Sequence, residues 1–262
     1  MVDQKRNGEY RFEVRLAQNE GEIRSAQRLR YQVFYEEMGA IPNPGRAMER
    51  RDSDCYDHVS DHLLVIDKKS KDGWGDPQIV GAYRLTRRGA LAENQKFYTE
   101  MEFDLGALKR YPGEILELSR SCVHPEYRNR AILDMLWLGL GEYITARQIE
   151  VMFGCASFPG IDPDDAADAL TFLHTYHLAP EAMRPHALPG QYVRMHRRGS
   201  GDIDKRQALR QMPPLIRGYV GAGCVVGDGA VIDTAFNTVD ICAMVMTNQL
   251  SPSYARRYQR TA

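Results

Sequence analysis

The sequence predicts an extended α/β domain, and three observations carry that prediction. Apolar strand-sized runs alternate with helical periodicity through the middle of the chain, in the order strand, helix, strand, helix from Glu114 to Tyr176. Two shorter runs, His62 to Ile66 and Ile79 to Leu85, are separated by a Lys/Gly/Asp/Pro turn that fits an antiparallel hairpin. A length of 262 residues suits one large domain or one domain with an appendage, and 43% apolar residues provide for its core.

Taken in order, Tyr10 to Leu16 alternates as a strand does, and Glu22 to Met38 places Ile23, Ala26, Leu29, Val33 and Phe34 on one helical face that Gly39 ends. Ala40 to Ser60 is polar, turn-rich and long for a connection, as expected of a lid over a site. Glu114 to Val123 reads as a strand closed by His124-Pro125, Arg130 to Ile144 as a strongly apolar helix, and Val151 to Ala156 as a buried strand. Asp162-Pro163-Asp164-Asp165 is an acidic helix start with a proline, leading into a helix from Ala166 to Tyr176. Beyond Leu188 the signals weaken, although Asp202 to Gln211 reads as a helix, Pro213-Pro214 breaks it, and Val239 to Met246 reads as a late strand. The expected division is a main domain over 1–200 and a C-terminal extension over 201–262 packed on it.

A formal net charge of −1 provides no field that would draw the protein to nucleic acid. Attraction to an anionic membrane would have to come from local patches, Arg194, Arg197 and Arg198 or Arg256, Arg257 and Arg260. The five cysteines are scattered, without metal spacing, and read as reduced core residues. Neither a signal-peptide core nor a membrane-spanning run occurs, so the expected location is the cytoplasm, with any membrane contact peripheral at the inner face.

Four features could carry chemistry. Glu117 and Arg120 put charge on both faces of one strand, which means either an edge strand or a cavity lining, because unpaired buried charge costs several kcal/mol, about 3–5. Asp52, Asp54, Asp57 and Asp61, interleaved with His58 and His62, form either a solvated turn or a site for a cationic amine or a metal, although no compact metal-ligand spacing occurs. Arg30 and Arg84 could clamp a carboxylate or phosphate, or make surface ion pairs. The junction from His124 to Arg130 offers a helix N-terminus with Arg128 and Arg130 beside it, suited to an anion such as a phosphopantetheine arm.

Together these segments resemble the GNAT acyltransferases, whose sheet is mixed and mostly antiparallel, with splayed central strands flanked by helices. Pro125, Tyr127 and Arg128 match that family's pyrophosphate turn, but Asn129, Ala131 and Leu133 stand at its glycine positions, which fits a carrier-protein arm better than free coenzyme A. The stretch from Arg30 to Val123 resembles the acyl-homoserine-lactone synthases through Arg30 and Phe34, Asp54 and Asp57, Arg84-Leu85, and Glu117, Ser119 and Arg120. That group's aromatic residue is missing at Ala40. The whole chain, with Glu117 to Pro125, Phe153 to Phe158 and Asp233 to Asp240, most resembles the hemolysin-like branch that includes the ornithine Nα-acyltransferases.

The resemblance implies transfer of a 3-hydroxy fatty acyl group from acyl carrier protein to the α-amine of ornithine, giving lyso-ornithine lipid, with no cofactor and no metal. It implies Glu117 and Arg120 as catalytic residues, and Arg30, Phe34, Asp54, Asp57, Arg84 and Asp240 around the acceptor. Val123, Arg128, Arg130 and Ala131 would receive the phosphopantetheine arm, and backbone N–H groups at a bend after Arg120 would hold the oxyanion. Asp240 could equally cap the core of the C-terminal part. Leu173 occupies the position where many such enzymes carry a tyrosine acid, and His174 and Tyr176 lie nearby. The alternatives are another acceptor (glutamine, glycine or lysine), acyl-homoserine-lactone synthesis, or an acyl-carrier-protein sensor without turnover.

Overall fold

A computed structural model describes residues 10–199, 203–252 and 254–255. The strands are β1 (Phe12–Leu16), β2 (Asp61–Lys71), β3 (Pro77–Arg87), β4 (Phe103–Asp104), β5 (Glu114–Val123), β6 (Ile149–Pro159), β7 (His186–Ala187), β8 (Val225–Asp233) and β9 (Thr238–Met246). The helices are α1 (Glu20–Tyr31), α2 (Pro44–Glu49), α3 (Gly106–Lys109), α4 (Arg130–Arg147), α5 (Ala167–Tyr176), α6 (Lys205–Gln211) and α7 (Pro214–Ala222). Pairing is mixed and mostly antiparallel, with β5–β6 and β7–β8 parallel. No helix among the described residues is long and apolar enough to cross a membrane.

The chain forms two compact units. The first takes the described residues up to Thr86 and Leu118–Arg147. Its helix α1 starts where the Asn19 side chain accepts the Glu22 N–H at 3.0 Å, satisfying one of the first-turn donors that a helix leaves open. The helix expected to end at Met38 does continue past Tyr31, but as a π-helical stretch over Gln32–Glu37. The hairpin β2–β3 closes on Asp72, whose carboxylate accepts the N–H groups of Trp74 and Asp76. Ala26, Leu29, Val33, Leu64, Ile66, Ile79, Ala82 and Cys122 form its core. Helix α4 lies close against the strands: a Cβ at Gly139 would stand 2.7 Å from Val14 Cγ2, so this crossing requires glycine.

The connection Ala40 to Ser60, expected as a lid, is folded inward in its second half. A 3₁₀ turn, Cys55–His58, is capped by Asp54, while Asp52, Tyr56 and Asp57 are buried.

The second unit takes Arg87–Glu117 and the described residues from Gln148 to Ala255. Its parallel β5–β6 ladder runs from Glu114↔Ile149 to Glu117↔Phe153, and β6 pairs with β9 from Val151↔Met246 to Pro159↔Thr238. Phe97, Phe103, Leu105, Leu108, Ile115, Val151, Phe153, Val231 and Met244 lie in its core. Two elements here escape periodicity. Pro213-Pro214, expected as a break, also starts α7, because proline at the first helical position lacks only an N–H that would be unpaired anyway. Strand β8 is interrupted by Gly227-Asp228-Gly229, where the register shifts between Val226 and Ala230 and Gly229 takes φ 88°, so its apolar run looks broken. The helix expected from Asp202 is seen as α6 from Lys205, and Asp202 lies outside the described residues, as do Arg256, Arg257 and Arg260.

All five cysteines are free. Burial pushes the Cys122 and Cys224 thiols up to about 12, so both are protonated core groups.

Candidate active site

In the first unit, four elements converge on one charged cluster. Helix α1 contributes Arg30, the inward-folded connection Asp52, Asp54 and Asp57, strand β3 Arg84, and strand β5 Ser119 and Arg120. Arg30 is 1% exposed and donates from Nε to Asp52 Oδ2 at 2.9 Å, from Nη1 to Asp57 Oδ1 at 2.8 Å and from Nη2 to Asp57 Oδ2 at 3.0 Å, with the Asp52 carbonyl as a further acceptor. Arg84 donates to Asp54 Oδ1 at 2.5 Å, Asp57 Oδ1 at 3.2 Å and Ser119 Oγ at 3.0 Å. Arg120 donates to Asp52 Oδ2 at 2.9 Å and Asp54 Oδ2 at 3.4 Å.

The electrostatics follow from this geometry. Burial pushes the Asp52 carboxyl up, but Arg120, Arg30, Arg46 and Arg84 outweigh it and hold it at about 2. Burial also opposes the ionised Asp57, and the hydrogen bond and charge of Arg30, with the charge of Arg84, hold it well below the usual carboxylate range. Gln27 Nε2 and the Asp54 N–H donate to Asp57 as well, at 2.9 and 3.2 Å. Alternating the two signs lets these buried charges satisfy one another.

The sequence motifs Arg30, Asp54, Asp57, Arg84, Ser119 and Arg120 are therefore neighbours, but they bind each other. Asp57, expected to hold a substrate ammonium, is 4% exposed and accepts from Arg30, Arg84 and Gln27. Phe34 packs, partly buried, against the apolar core of this unit. Asp52, which no motif singled out beyond the acidic run, stands at the centre of the cluster and also accepts from the Tyr35 hydroxyl at 3.1 Å.

The β5–α4 junction is also in the first unit. The Arg128 fork grips both oxygens of Glu37 at 2.5 and 2.6 Å and donates to the Val123 carbonyl at 3.2 Å. Asn129, at a glycine position of the family turn, uses its own Oδ1 to accept the N–H groups of Ala131 and Ile132 at 3.0 and 3.2 Å. The side chain thus caps two amides that would otherwise face an anion. The Arg130 side chain is 78% exposed, with Asp134 at 3.9 Å. Arg120 takes φ 52°, a left-handed backbone in mid-strand.

In the second unit, Glu117 is fully buried, with its carboxylate accepting the Thr99 N–H at 2.7 Å and the Tyr98 N–H at 3.2 Å. Paired residues share a face of the sheet, so Glu117, paired with Phe153, lies on the same face as Cys155, and Cys155 pairs with Cys242 while Ser157 pairs with Asp240. Glu102 reaches over this face: its Oε2 accepts from Cys155 Sγ at 3.2 Å, and the ligand atoms of Glu102, Cys155 and Asp240 lie within 4.8 Å of one another. Burial, with Glu102 and Asp240 adding to it, pushes the Cys155 thiol far up, and Cys242 feels both Glu117 and Glu102.

This face carries buried carboxylates among apolar core residues. Asp240 was expected and is here; Tyr98 and Thr99 lie in a single 3₁₀ turn, Tyr98–Met101, that Glu102 ends, too short to show as periodicity in the sequence. Leu173 is buried, His174 Nε2 stands 3.8 Å from Asp228, and Tyr176 is exposed against Phe172.

Comparison with known proteins gives a consistent result. Residues 29–138 match the acetyltransferase (GNAT) domain. The chain is 45% identical over 250 residues to the L-ornithine N(alpha)-acyltransferase of Agrobacterium fabrum, covering 94% of this chain and 85% of that one. It is 41% identical to the protein of the same name from Rhodobacter capsulatus, covering 95% of each. Among solved structures, FeeM, an N-acyl amino acid synthase from uncultured soil microbes, superposes with a TM-score of 0.51 at 9% identity over 94% of both chains. The coenzyme A-dependent acyl-homoserine lactone synthase BjaI also gives 0.51, at 17% identity over 92% of this chain and 84% of that one. At those identities the structural likeness speaks for the fold.

Proposed function

Because this chain belongs to the L-ornithine N(alpha)-acyltransferase family of GNAT-fold enzymes, we propose that it transfers a 3-hydroxy fatty acyl group from acyl carrier protein to the α-amine of ornithine. The observation that carries the chemistry is Glu117: a fully buried carboxylate oriented by two backbone N–H groups, on the same strand face as Cys155 and Asp240.

Ornithine arrives with both amines protonated at neutral pH, and only a neutral amine attacks a thioester. Glu117 takes the α-ammonium proton; Tyr98 and Thr99 use about two of its four lone-pair sites and set the direction of the carboxylate. The amine lone pair forms the new C–N bond while the carbonyl π pair moves onto oxygen, giving a tetrahedral oxyanion. Collapse of the intermediate breaks the C–S bond. A thiol with a pKa near about 8–9 leaves as the thiolate and takes a proton from solvent, so no tyrosine acid is needed at Leu173.

Asp240, with Glu102 beside it, receives the side-chain ammonium of ornithine, which favours ornithine over an acceptor with a neutral side chain. Arg30, Arg84 and Arg120 hold Asp52, Asp54 and Asp57 and so fix the end of β5 that carries the bend. The phosphopantetheine arm comes with the donor, so the reaction uses no resident cofactor. The family resemblance assigns that arm to Arg130 and the exposed Ala131 at the start of α4. The work takes place in the cytoplasm, with the product released to the inner membrane face.

The test is thiol release with purified 3-hydroxyacyl carrier protein and ornithine. Glu117→Gln keeps the fold and lowers kcat about 10²–10⁴-fold; near-normal turnover in that variant removes Glu117 as the base. Mass spectra of lipid extracts from expressing cells should gain lyso-ornithine lipid, and an acylated glutamine, glycine or lysine in its place would overturn the acceptor.

A further inference from the structure

The stretch from Lys205 to Gly227 contains Lys205, Arg206, Arg210 and Arg217 and not one Asp or Glu, in a chain whose formal charge is −1 overall. All four cations are exposed, and among the described residues none of them has a carboxylate partner. Neighbouring arginines behave differently: Arg197 is paired with Asp164 at 2.6 Å and Arg198 with Asp168 at 3.6 Å. The cations sit on a firmly held scaffold. Gln211 locks α6 onto α5 by accepting the Ala169 N–H at 2.9 Å and donating to Asp168 at 3.1 Å, and Ala208 is buried. Arg206 and Arg210, four residues apart, therefore share the outward side of α6.

We propose that this cationic face of α6, with Arg217 on α7, is the docking surface for the acidic acyl carrier protein. The proposal rests on the reading that the donor is a carrier-protein thioester. Charge complementarity selects an acidic partner. A surface that enters a membrane interface also carries large apolar side chains, and none of the exposed ones among the described residues lies on α6 or α7. The position fits as well. Helix α6 contacts the turn Pro163–Ala166, which follows the C-terminal end of β6, the strand that bears Cys155 and Ser157.

The test uses the full chain with two donors, the same acyl group on acyl carrier protein and on free pantetheine. In R206E/R210E, kcat/KM for the carrier-protein donor should fall about tenfold or more and lose its steep salt dependence, while kcat/KM for acyl-pantetheine stays within about twofold. The milder R206Q/R210Q should show a smaller loss with the same selectivity. Unchanged carrier-protein kinetics in both variants, or equal losses on both donors, overturns the docking surface. So does wild-type sedimentation with phosphatidylglycerol vesicles that R206E/R210E abolishes while its carrier-protein kinetics hold. A wild type that consumes acyl-pantetheine but not acyl carrier protein refutes the donor itself, and with it this partner.

Discussion

Asp57 and Glu117 are both buried carboxylates, and the donors seen on them come from different parts of the chain. Asp57 accepts from the guanidinium groups of Arg30 and Arg84 and from Gln27, whereas Glu117 is oriented by the backbone N–H groups of Tyr98 and Thr99. A carboxylate matched by guanidinium charge has its energy committed to the fold. One that also accepts backbone N–H groups has its direction set by a turn of the main chain, here Tyr98–Met101. Asp52 and Asp54 are likewise held by Arg120, and Asp240 lies beside Glu102 and Cys155. The Arg/Asp cluster of the first unit is closed on itself by ion pairs, and the acidic face of the second unit is the one we propose for the acceptor.

The largest expected effect probes the scaffold. Arg30→Met removes the guanidinium that Asp52 and Asp57 share, leaving them to Arg120 and Arg84, and should cost about 3–5 kcal/mol in urea unfolding, against little change in the KM of whatever folded enzyme remains. A loss under about 1 kcal/mol would mean the cluster is not what holds this unit together.

Acidification comes next. Asp52 is depressed to about 2, so its contribution is full above its unfolded value near about 4 and is lost as pH falls towards 2, roughly 2 kcal/mol in all. Burial lowers His62 too, so its share begins to disappear below about pH 6.5, where the unfolded chain binds the proton first. Unfolding free energy measured from pH 7 to 3 should therefore fall throughout, and a flat profile would contradict the assigned ion pairs.

The smallest effect is the most specific. Asp240→Asn should raise the KM for ornithine about tenfold, roughly 1.4 kcal/mol, leaving stability and donor KM near normal, while Asp57→Asn should do the opposite and weaken the fold. If the two variants exchange phenotypes, the acceptor lies in the first unit after all.

Much of this was legible in residue spacing. The strand Glu114 to Val123, the helical face within Glu22 to Met38 and the apolar helix Arg130 to Ile144 depend on side chains a few positions apart, and such local patterns are written directly in the sequence. The motif residues Arg30, Asp54, Asp57, Arg84 and Arg120 were identifiable too, and they do meet. Strand β8 was hidden because its glycines interrupt the apolar run, and α7 because its opening proline looks like a breaker.

The sequence by itself thus determined the order of strands and helices and which residue types had to be brought together. Only the tertiary structure decided that the arginines neutralise Asp52, Asp54 and Asp57, that Tyr98 and Thr99 hold Glu117, and that Glu102 lies against Cys155 and Asp240. The reason is physical: a local pattern fixes the backbone of a segment, but a buried charge takes as partner whichever group the folded chain brings within about 3 Å, here often from tens of residues away.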